Sequence, residues 1–332
     1  MKALLGDLVN IKTGKLDANQ ADENGKYPFF TCSKEISKIN SYSYDCECVL
    51  IAGNGDLNVK YYNGKFEAYQ RTYILTSTDV NTLSNKYLYW FMNRYIVQLR
   101  NQSIGGVIKY IKLGDLTNIT LNLPTLDVQR RIVEIFESIE RLIGTKVFIL
   151  KGLDDLIKSR FVEMFEVFNI NPNNYNTIKF KDLIERNNIN EEDKVWLLNL
   201  DMIKPNTGEI VEKVYINRQN IPASSISFKK GTVLYSKLRP YLNKVVIADE
   251  NGYGTSELIP LNSYKNGLTA EYLAYYLRQD SFVDYIKDKV TGAKMPRVAM
   301  DILRNIDIIQ PNYIYQEQFS SFVNHVNKLK FD

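Results

Sequence analysis

Residues 85–103 read NKYLYWFMNRYIVQLRNQS, and residues 270–290 read AEYLAYYLRQDSFVDYIKDKV. Both space their apolar residues three and four apart, so each predicts a helix with one buried face. The segments after these two stretches are also alike. Gly105-Gly106 breaks the first helix and Gly292 the second; KYIKLGDLTNITLNLP then runs to Pro124, and MPRVAMDILRNIDIIQP to Pro311. Tyr87-Leu88 answers Tyr272-Leu273, Gly106 answers Gly292, Asp115 answers Asp301, Pro124 answers Pro311 and Gln129 answers Gln316. Chance supplies one or two such matches, not an ordered set at a spacing of about 185 residues. The chain reads as a tandem duplication.

Working outward, the likeness continues more faintly upstream. GDLVNIKTG near the start answers KDLIERNN from residue 181, and CVLIAGNG from residue 48 answers TVLYSKLRP from residue 232. These stretches are short, rich in Val, Ile and Tyr, and punctuated by Gly, Asn or Pro, which predicts β-strands. Each half is therefore a mainly β, partly helical domain, and the fold class is α+β.

Between the halves, residues 127–166 contain no proline and keep a helical apolar rhythm. One stripe is Val128, Ile132, Ile135, Ile139 and Leu142, continued by Ile149, Leu153 and Leu156; a second is Ile143, Val147, Leu150, Ile157 and Phe161. At 1.5 Å per residue such a helix spans about 60 Å. That much apolar surface requires a partner helix or another subunit. QEQFSSFVNHVNKLKFD, from Gln316 to Asp332, aligns with QRRIVEIFESIERLIGT, from Gln129 to Thr145. The C-terminal helix is thus expected to pack antiparallel on the central one as a shortened second copy, with self-association through the helices as one consequence. The expected organisation is a first domain at 1–125, a central helix at 126–168, a second domain at 169–313 and the start of a second helix at 314–332.

Composition narrows the function classes. With 332 residues, 45% hydrophobic and 24% charged, there is enough chain for two cores of ordinary globular make-up. A net charge of +4 is too small to announce a nucleic-acid binder by itself. It divides as +3 over residues 1–125, −1 over 126–170 and +2 over 171–332. A single histidine, His325, removes most triad and metal-site readings. The three cysteines, Cys32, Cys46 and Cys48, lack a second cluster to complete a zinc site and read as bystander thiols. No apolar run is long enough for a membrane span, and Met1 to Asn10 lacks the order of a signal peptide, so a cytoplasmic location without membrane contact is expected.

The order of elements resembles the specificity subunits of Type I restriction-modification systems. The residues carrying the resemblance are LGDL at Leu113–Leu116 with LPTLDVQRRI at Leu123–Ile132, echoed by MDIL from residue 300 and QPNYIYQEQF from residue 310. The family pattern has a second consecutive proline before the helix, which neither copy has here. The resemblance implies two target-recognition domains, similar to those of adenine-specific methyltransferases, each reading one half of a split, gapped site on double-stranded DNA, with the helices as spacer. It implies methyltransferase subunits and a restriction/translocase subunit as partners. Catalysis, S-adenosylmethionine, ATP and Mg would belong to those subunits, with no catalytic residue, metal or cofactor on this chain.

Polar, glycine-bearing loops then become candidate readers. In the first half these are Gly53-Asn54-Gly55, the stretch from Lys60 to Lys65, Tyr69-Gln70-Arg71 and Gly105 to Tyr110. The amides of Asn54 and Gln70 suit adenine and the fork of Arg71 suits guanine, while Lys60, Lys65 and Lys109 can neutralise phosphate and Tyr61 offers an amphipathic contact. In the second half the candidates are Ser236, Lys237, Arg239, Lys244, Ser256, Lys294 and Arg297. Changing Arg239 or Arg297 to Ala is expected to weaken binding to the cognate half-site. Each of these residues has a plainer reading as a solvated turn. On the central helix, Ile132, Ile135, Ile139, Leu142, Ile149, Leu153 and Leu156 are the expected partner-helix interface.

Three other stretches are set aside. Asn171-Pro172-Asn173-Asn174-Tyr175 lacks the second proline of the loop that grips a flipped base, and is read as a linker. Gly53-Asn54-Gly55 has neither the spaced glycines nor the Gly-Lys-Ser/Thr of a phosphate loop. Glu191-Glu192-Asp193-Lys194 reads as a solvated turn rather than a nuclease centre. Two rival functions stay open at this level: a non-enzymatic scaffold with two β domains on a helical stalk, and a degenerate methyltransferase.

Overall fold

The computed structural model describes residues 2–185, 189 and 193–330, so Glu191 and Glu192 of the acidic stretch lie outside the described residues. The chain divides into two compact units, Met1–Thr145 and Lys146–Asp332.

Both units open with the same pairing. Lys2–Leu4 runs antiparallel to Thr120–Asn122 in the first, and Asn176–Lys179 to Asp307–Gln310 in the second. A one-turn helix comes after each opening strand, Leu5–Leu8 and Phe180–Leu183, fixed by Leu5 N–H donating to Ile119 O at 2.8 Å and Phe180 N–H donating to Ile306 O at 2.9 Å. GDLVNIKTG therefore begins as a helical turn before the strand Val9–Thr13, and KDLIERNN begins as one too, with its residues 186–188 outside the described residues. Leu5, Leu8, Phe180 and Leu183 sit three residues apart in pairs, and only a turn buries both members of each pair.

The first unit is built on a six-stranded sheet in the order Val9–Thr13, Thr72–Ser77, Tyr44–Ala52, Val59–Ala68, Tyr27–Phe30 and Ser37–Ile39. Its helix Asn85–Gln102 buries Tyr87, Leu88, Met92, Ile96 and Leu99 against that sheet, as the spacing predicts. The segment Lys60–Lys65, expected as a loop, is the middle of a ten-residue strand: Cys48 faces Tyr62 and Glu47 faces Asn63 across the ladder. The alternation within VKYYNGKF outweighs the turn signal of Asn63-Gly64.

The second unit carries a four-stranded sheet (Val214–Asn217, Lys194–Leu198, Gly252–Gly254, Ile226–Phe228) and a three-stranded sheet (Val245–Ile247, Val233–Ser236, Leu258–Leu261). The single helix expected over 270–290 breaks into Ala270–Arg278 and Asp280–Lys287. Gln279 leaves the helix, its side-chain oxygen accepting from Phe168 N–H at 2.9 Å, and the chain redirects Phe282 and Ile286 into the core.

The central helix runs from Leu126 to Phe165, and Glu166, in the left-handed region at φ 64°, ends it. The C-terminal helix runs from Tyr313 to Leu329, starting one residue before the expected 314 because Asn312 caps it, accepting from Ile314 N–H at 3.2 Å. Within the second unit the two helices are antiparallel: Phe161 and Phe165 meet Phe319 at 5.2 and 5.7 Å between ring centres, while Asp154 pairs with Lys330 at 2.5 Å.

Aromatic burial gives this unit an alkaline limit. Burial pushes the phenols of Tyr235, Tyr272 and Tyr275 up, and that of Tyr276 to about 12. A phenol neutral in the fold and ionised in the unfolded chain contributes stability in full below pH 10, lost as pH rises towards 12. We expect urea midpoints to hold from pH 7 to about 9.5 and then fall, each such tyrosine contributing about 1.4 kcal/mol per pH unit inside that window.

Candidate nucleic-acid interface

The two units build one loop platform twice, and they do so with main-chain hydrogen bonds. In the first unit, Gly53 N–H donates to Arg71 O (2.8 Å), Gly55 N–H to Lys109 O (2.8 Å), and Ile111 N–H to Gly53 O (2.9 Å). In the second, Lys237 N–H donates to Glu257 O (3.1 Å), Arg239 N–H to Pro296 O (2.8 Å), and Val298 N–H to Lys237 O (3.0 Å). The bonds correspond one for one, so Gly53 matches Lys237, Gly55 matches Arg239, Arg71 matches Glu257 and Lys109 matches Pro296. Further bridges repeat as well, Asn54 with Tyr110 and Leu238 with Arg297. Strand ends, a returning turn and a hairpin after the long helix thereby converge in each unit.

In the first unit this convergence makes a polar cleft of about 340 Å³ lined by Thr13, Gly53, Gln70, Arg71, Tyr73 and Ile111. Arg71 and Lys109 are exposed beside it, and Asn54 is half-buried. Gln70 donates to Asp17 Oδ1 at 2.7 Å, which holds the amide at the surface. Sequence reasoning misses Thr13 and Tyr73. No local signal marks them, because they reach the cleft only through the pairing of Val9–Thr13 with Thr72–Ser77.

The residues of the Lys60–Lys65 strand are differently engaged. Lys60 donates to Ser33 O at 2.6 Å and to Asn58 Oδ1, and burial holds its ammonium below the usual lysine range. Tyr61 donates to Glu47 Oε1 at 2.7 Å, and burial with that carboxylate pushes its phenol well up. Lys65 is exposed and lies over the Tyr42 ring at 4.7 Å. Their side chains belong to the sheet rather than to the cleft. Cys46 and Cys48 share the neighbouring strand, where burial pushes both thiols up and so keeps them protonated.

In the second unit, Ser236 is buried and donates to Leu238 O at 3.0 Å, bracing the loop from inside. Lys244 donates to Leu200 O at 2.5 Å, with its ammonium lowered by burial. Lys237 is half-buried, and Ser256 and Lys294 are exposed. Arg297 forms an ion pair with Glu257 (Nη2 to Oε1, 2.8 Å; Nε to Oε1, 2.9 Å), so its fork is already occupied. Glu257, the residue after Ser256, has its other oxygen buried without a hydrogen-bond partner.

Arg239 stands apart. It sits at φ 47°, the left-handed position where the first unit has Gly55 at φ 70°. Glycine adopts that conformation freely, whereas a residue with a Cβ costs about 1 kcal/mol or more there. Keeping arginine at a strained position, exposed and with its guanidinium donating to Lys294 O at a long 3.4 Å, points to a use for the side chain.

On the central helix, Ile135, Ile139, Leu142, Ile149 and Leu156 are exposed, whereas Ile132 and Leu153 lean on the cores of their own units. The second stripe divides: Ile143 and Val147 are exposed, while Ile157 and Phe161 are fully buried in the second unit.

Residues 2–151 match the family model of the Type I restriction modification DNA specificity domain. Across 347 aligned residues the chain is 28% identical to the Type I restriction enzyme EcoDI specificity subunit of Escherichia coli, covering 92% of this chain and 76% of that protein. It is 26% identical over 145 residues to the Type I restriction enzyme MjaIX specificity subunit of Methanocaldococcus jannaschii, which covers 40% of this chain and 32% of that one. Among solved structures, the S subunit of the Type-I restriction-modification system from M. genitalium has a similar fold, with TM-score 0.60 at 13% identity over 99% of this chain and 90% of that one. A chain from a structure of type I R-M complex assembly and conformational transition gives TM-score 0.56 at 13% identity with the same coverage. At such identity these two likenesses speak for the fold alone.

Proposed function

We infer from its likeness to the Type I restriction-modification DNA specificity family that this chain is the DNA-reading subunit of such a complex. Its two platforms read the two halves of a split, gapped target on double-stranded DNA, and methyltransferase and restriction/translocase subunits perform the chemistry. The observation that carries this reading is the double construction of one loop platform, bond for bond, within one chain. Two weak readers on one polypeptide reach useful affinity through effective concentration, each needing few base contacts. The exposed stripe of Ile135, Ile139, Leu142, Ile149 and Leu156 supports a helical partner surface.

Within each platform the residues best suited to base edges are Gln70 and Arg71 in the first unit and Arg239 in the second, with Lys109, Lys237 and Lys294 suited to phosphate. The test is adenine methylation mapped across a genome that expresses this chain with its methyltransferase partner. We expect a split motif that disappears with the gene. Arg71→Ala and Arg239→Ala should each relax one half of the motif and weaken binding by the assembled complex by about 1–3 kcal/mol. A methylome unchanged by deletion of the gene would end the reading.

A further inference from the structure

Each platform carries a hairpin tip that its own unit leaves uncovered. In the first unit Ile104 and Tyr110 exchange two main-chain hydrogen bonds, 3.1 and 2.8 Å, closing a neck around Gly105–Lys109. In the second, Thr291 pairs with Arg297 around Gly292–Pro296. Both tips start on a glycine at positive φ, Gly105 at 117° and Gly292 at 96°, so Gly105 rather than Gly106 is the counterpart of Gly292. A Cβ on Gly105 would meet Ile108 O at 2.4 Å, and one on Gly292 would meet Met295 O at 3.3 Å. The necks are thus narrow and pinned to the platforms, so the tips are presented rather than left loose.

What they present is apolar. Val107 is wholly exposed, Ile108 is 61% exposed, and Met295, which takes the place of Ile108 in the repeat, is 47% exposed. Among the described residues, none of these side chains belongs to the hydrophobic core of its unit. Cations lie beside them: Lys109 next in the chain to Ile108 in the first unit, and in the second Lys294 next to Met295, with Arg239 donating to Lys294 O at 3.4 Å. An aliphatic point with positive charge beside it suits a polyanion whose interior is a stack of flat apolar faces. A protein surface pocket would match the aliphatic point but gain little from the cations.

We propose that these tips are wedges: Val107 with Ile108 in the first unit, and Met295 in the second, press between adjacent base pairs beside each half-site and unstack that step. This rests on the DNA-reading function inferred above and extends it to deformation of the duplex. Apolar side chains inserted at a step kink the duplex and open it locally, and the opening favours steps that unstack easily. The two halves differ in kind, since Lys294 stands where Val107 does, so the first wedge is the broader.

The test uses the assembled complex with its methyltransferase subunits on the target duplex, and permanganate reactivity of thymines as the measure of unstacking. Wild type is expected to give one hyperreactive step in each half, apart from the thymine opposite the methylated adenine. The V107S/I108S double variant should lose it in the first half only, and M295S in the second only, with affinity for intact duplex reduced about tenfold. An abasic site at the wedge step should tighten binding of wild type and help the variants far less. Variants with wild-type reactivity and affinity would overturn the proposal, as would variants that fail to assemble, since the tips would then be docking on protein. Wild type that binds no split-site duplex would remove the DNA-reading function as well, which separates the two failures.

Discussion

Replacing Gln316 by Leu should lower the melting temperature of the second unit by about 10 °C. Gln316 is wholly buried where the C-terminal helix begins, and three main-chain groups depend on it. Its Oε1 accepts from Thr269 N–H at 3.0 Å, and its Nε2 donates to Gly267 O at 3.2 Å and Pro311 O at 2.8 Å. Thr269 in turn caps the helix Ala270–Arg278, accepting from Tyr272 N–H at 3.2 Å. Leucine matches the volume but leaves one buried donor and two buried acceptors unpaired, at about 1–3 kcal/mol for each group that water cannot reach. With partial relaxation the loss is about 4 kcal/mol, and a domain of this size loses about 2–4 °C per kcal/mol. Gln129 makes the same three bonds in the first unit, accepting from Ser84 N–H and donating to Thr82 O and Pro124 O, so Gln129→Leu should act alike there. Calorimetry that finds either variant within 3 °C of wild type would show that these side chains do not hold the helix starts.

Phe161→Ala carries the second large effect. Phe161 is 1% exposed and lies within 5.1–5.5 Å, centre to centre, of Phe165, Tyr272 and Phe319. It joins the central helix to the C-terminal helix and to the helix Ala270–Arg278 in one contact. Truncation removes the apolar area and leaves a cavity that fixed helices cannot close, a cost of about 3–5 kcal/mol. We expect a large drop in the urea midpoint of the second unit with little change in slope, and faster amide exchange over Leu153–Phe165. Phe161→Leu should recover more than half of the loss. An alanine variant within 1 kcal/mol of wild type would mean that the helices are held elsewhere.

The duplication was legible because it is written in residues that the scaffold needs. Gln129 and Gln316, Leu88 and Leu273, and Pro124 and Pro311 sit at equivalent points of the two units and recur for that reason. The long helix was legible because residues 127–166 keep one rhythm without a break. The candidate site was harder to read. Gln70, Arg71 and Arg239 stand on the platforms, but Lys60, Tyr61, Ser236 and Lys244 are engaged within the fold, because a polar residue near glycine reads the same whether its side chain turns out or in. Pairing decides that, and pairing is long-range: Tyr61 is turned towards Glu47, in the preceding strand, by the ladder that joins the two. The split of the second stripe, with Ile157 and Phe161 buried and Ile143 and Val147 exposed, likewise depends on which part of the helix the second unit covers.

The platform's hydrogen bonds run from backbone to backbone, and this separates its support from most of the side chains it presents. No bond between Gly53, Gly55 and Ile111 and their acceptors, or between Lys237, Arg239 and Val298 and theirs, asks anything of a side chain. At matched positions the second unit has lysine for Gly53, arginine for Gly55 and glutamate for Arg71 with the same main-chain bonds, whereas in the first unit a Cβ on Gly53 would meet Arg71 O at 2.4 Å, so that glycine is fixed by its own surroundings. On the function proposed above, support and target choice rest on different atoms, so preferences can change at exposed side chains such as Arg71, in one half of the site, while the main-chain bonds that present them persist.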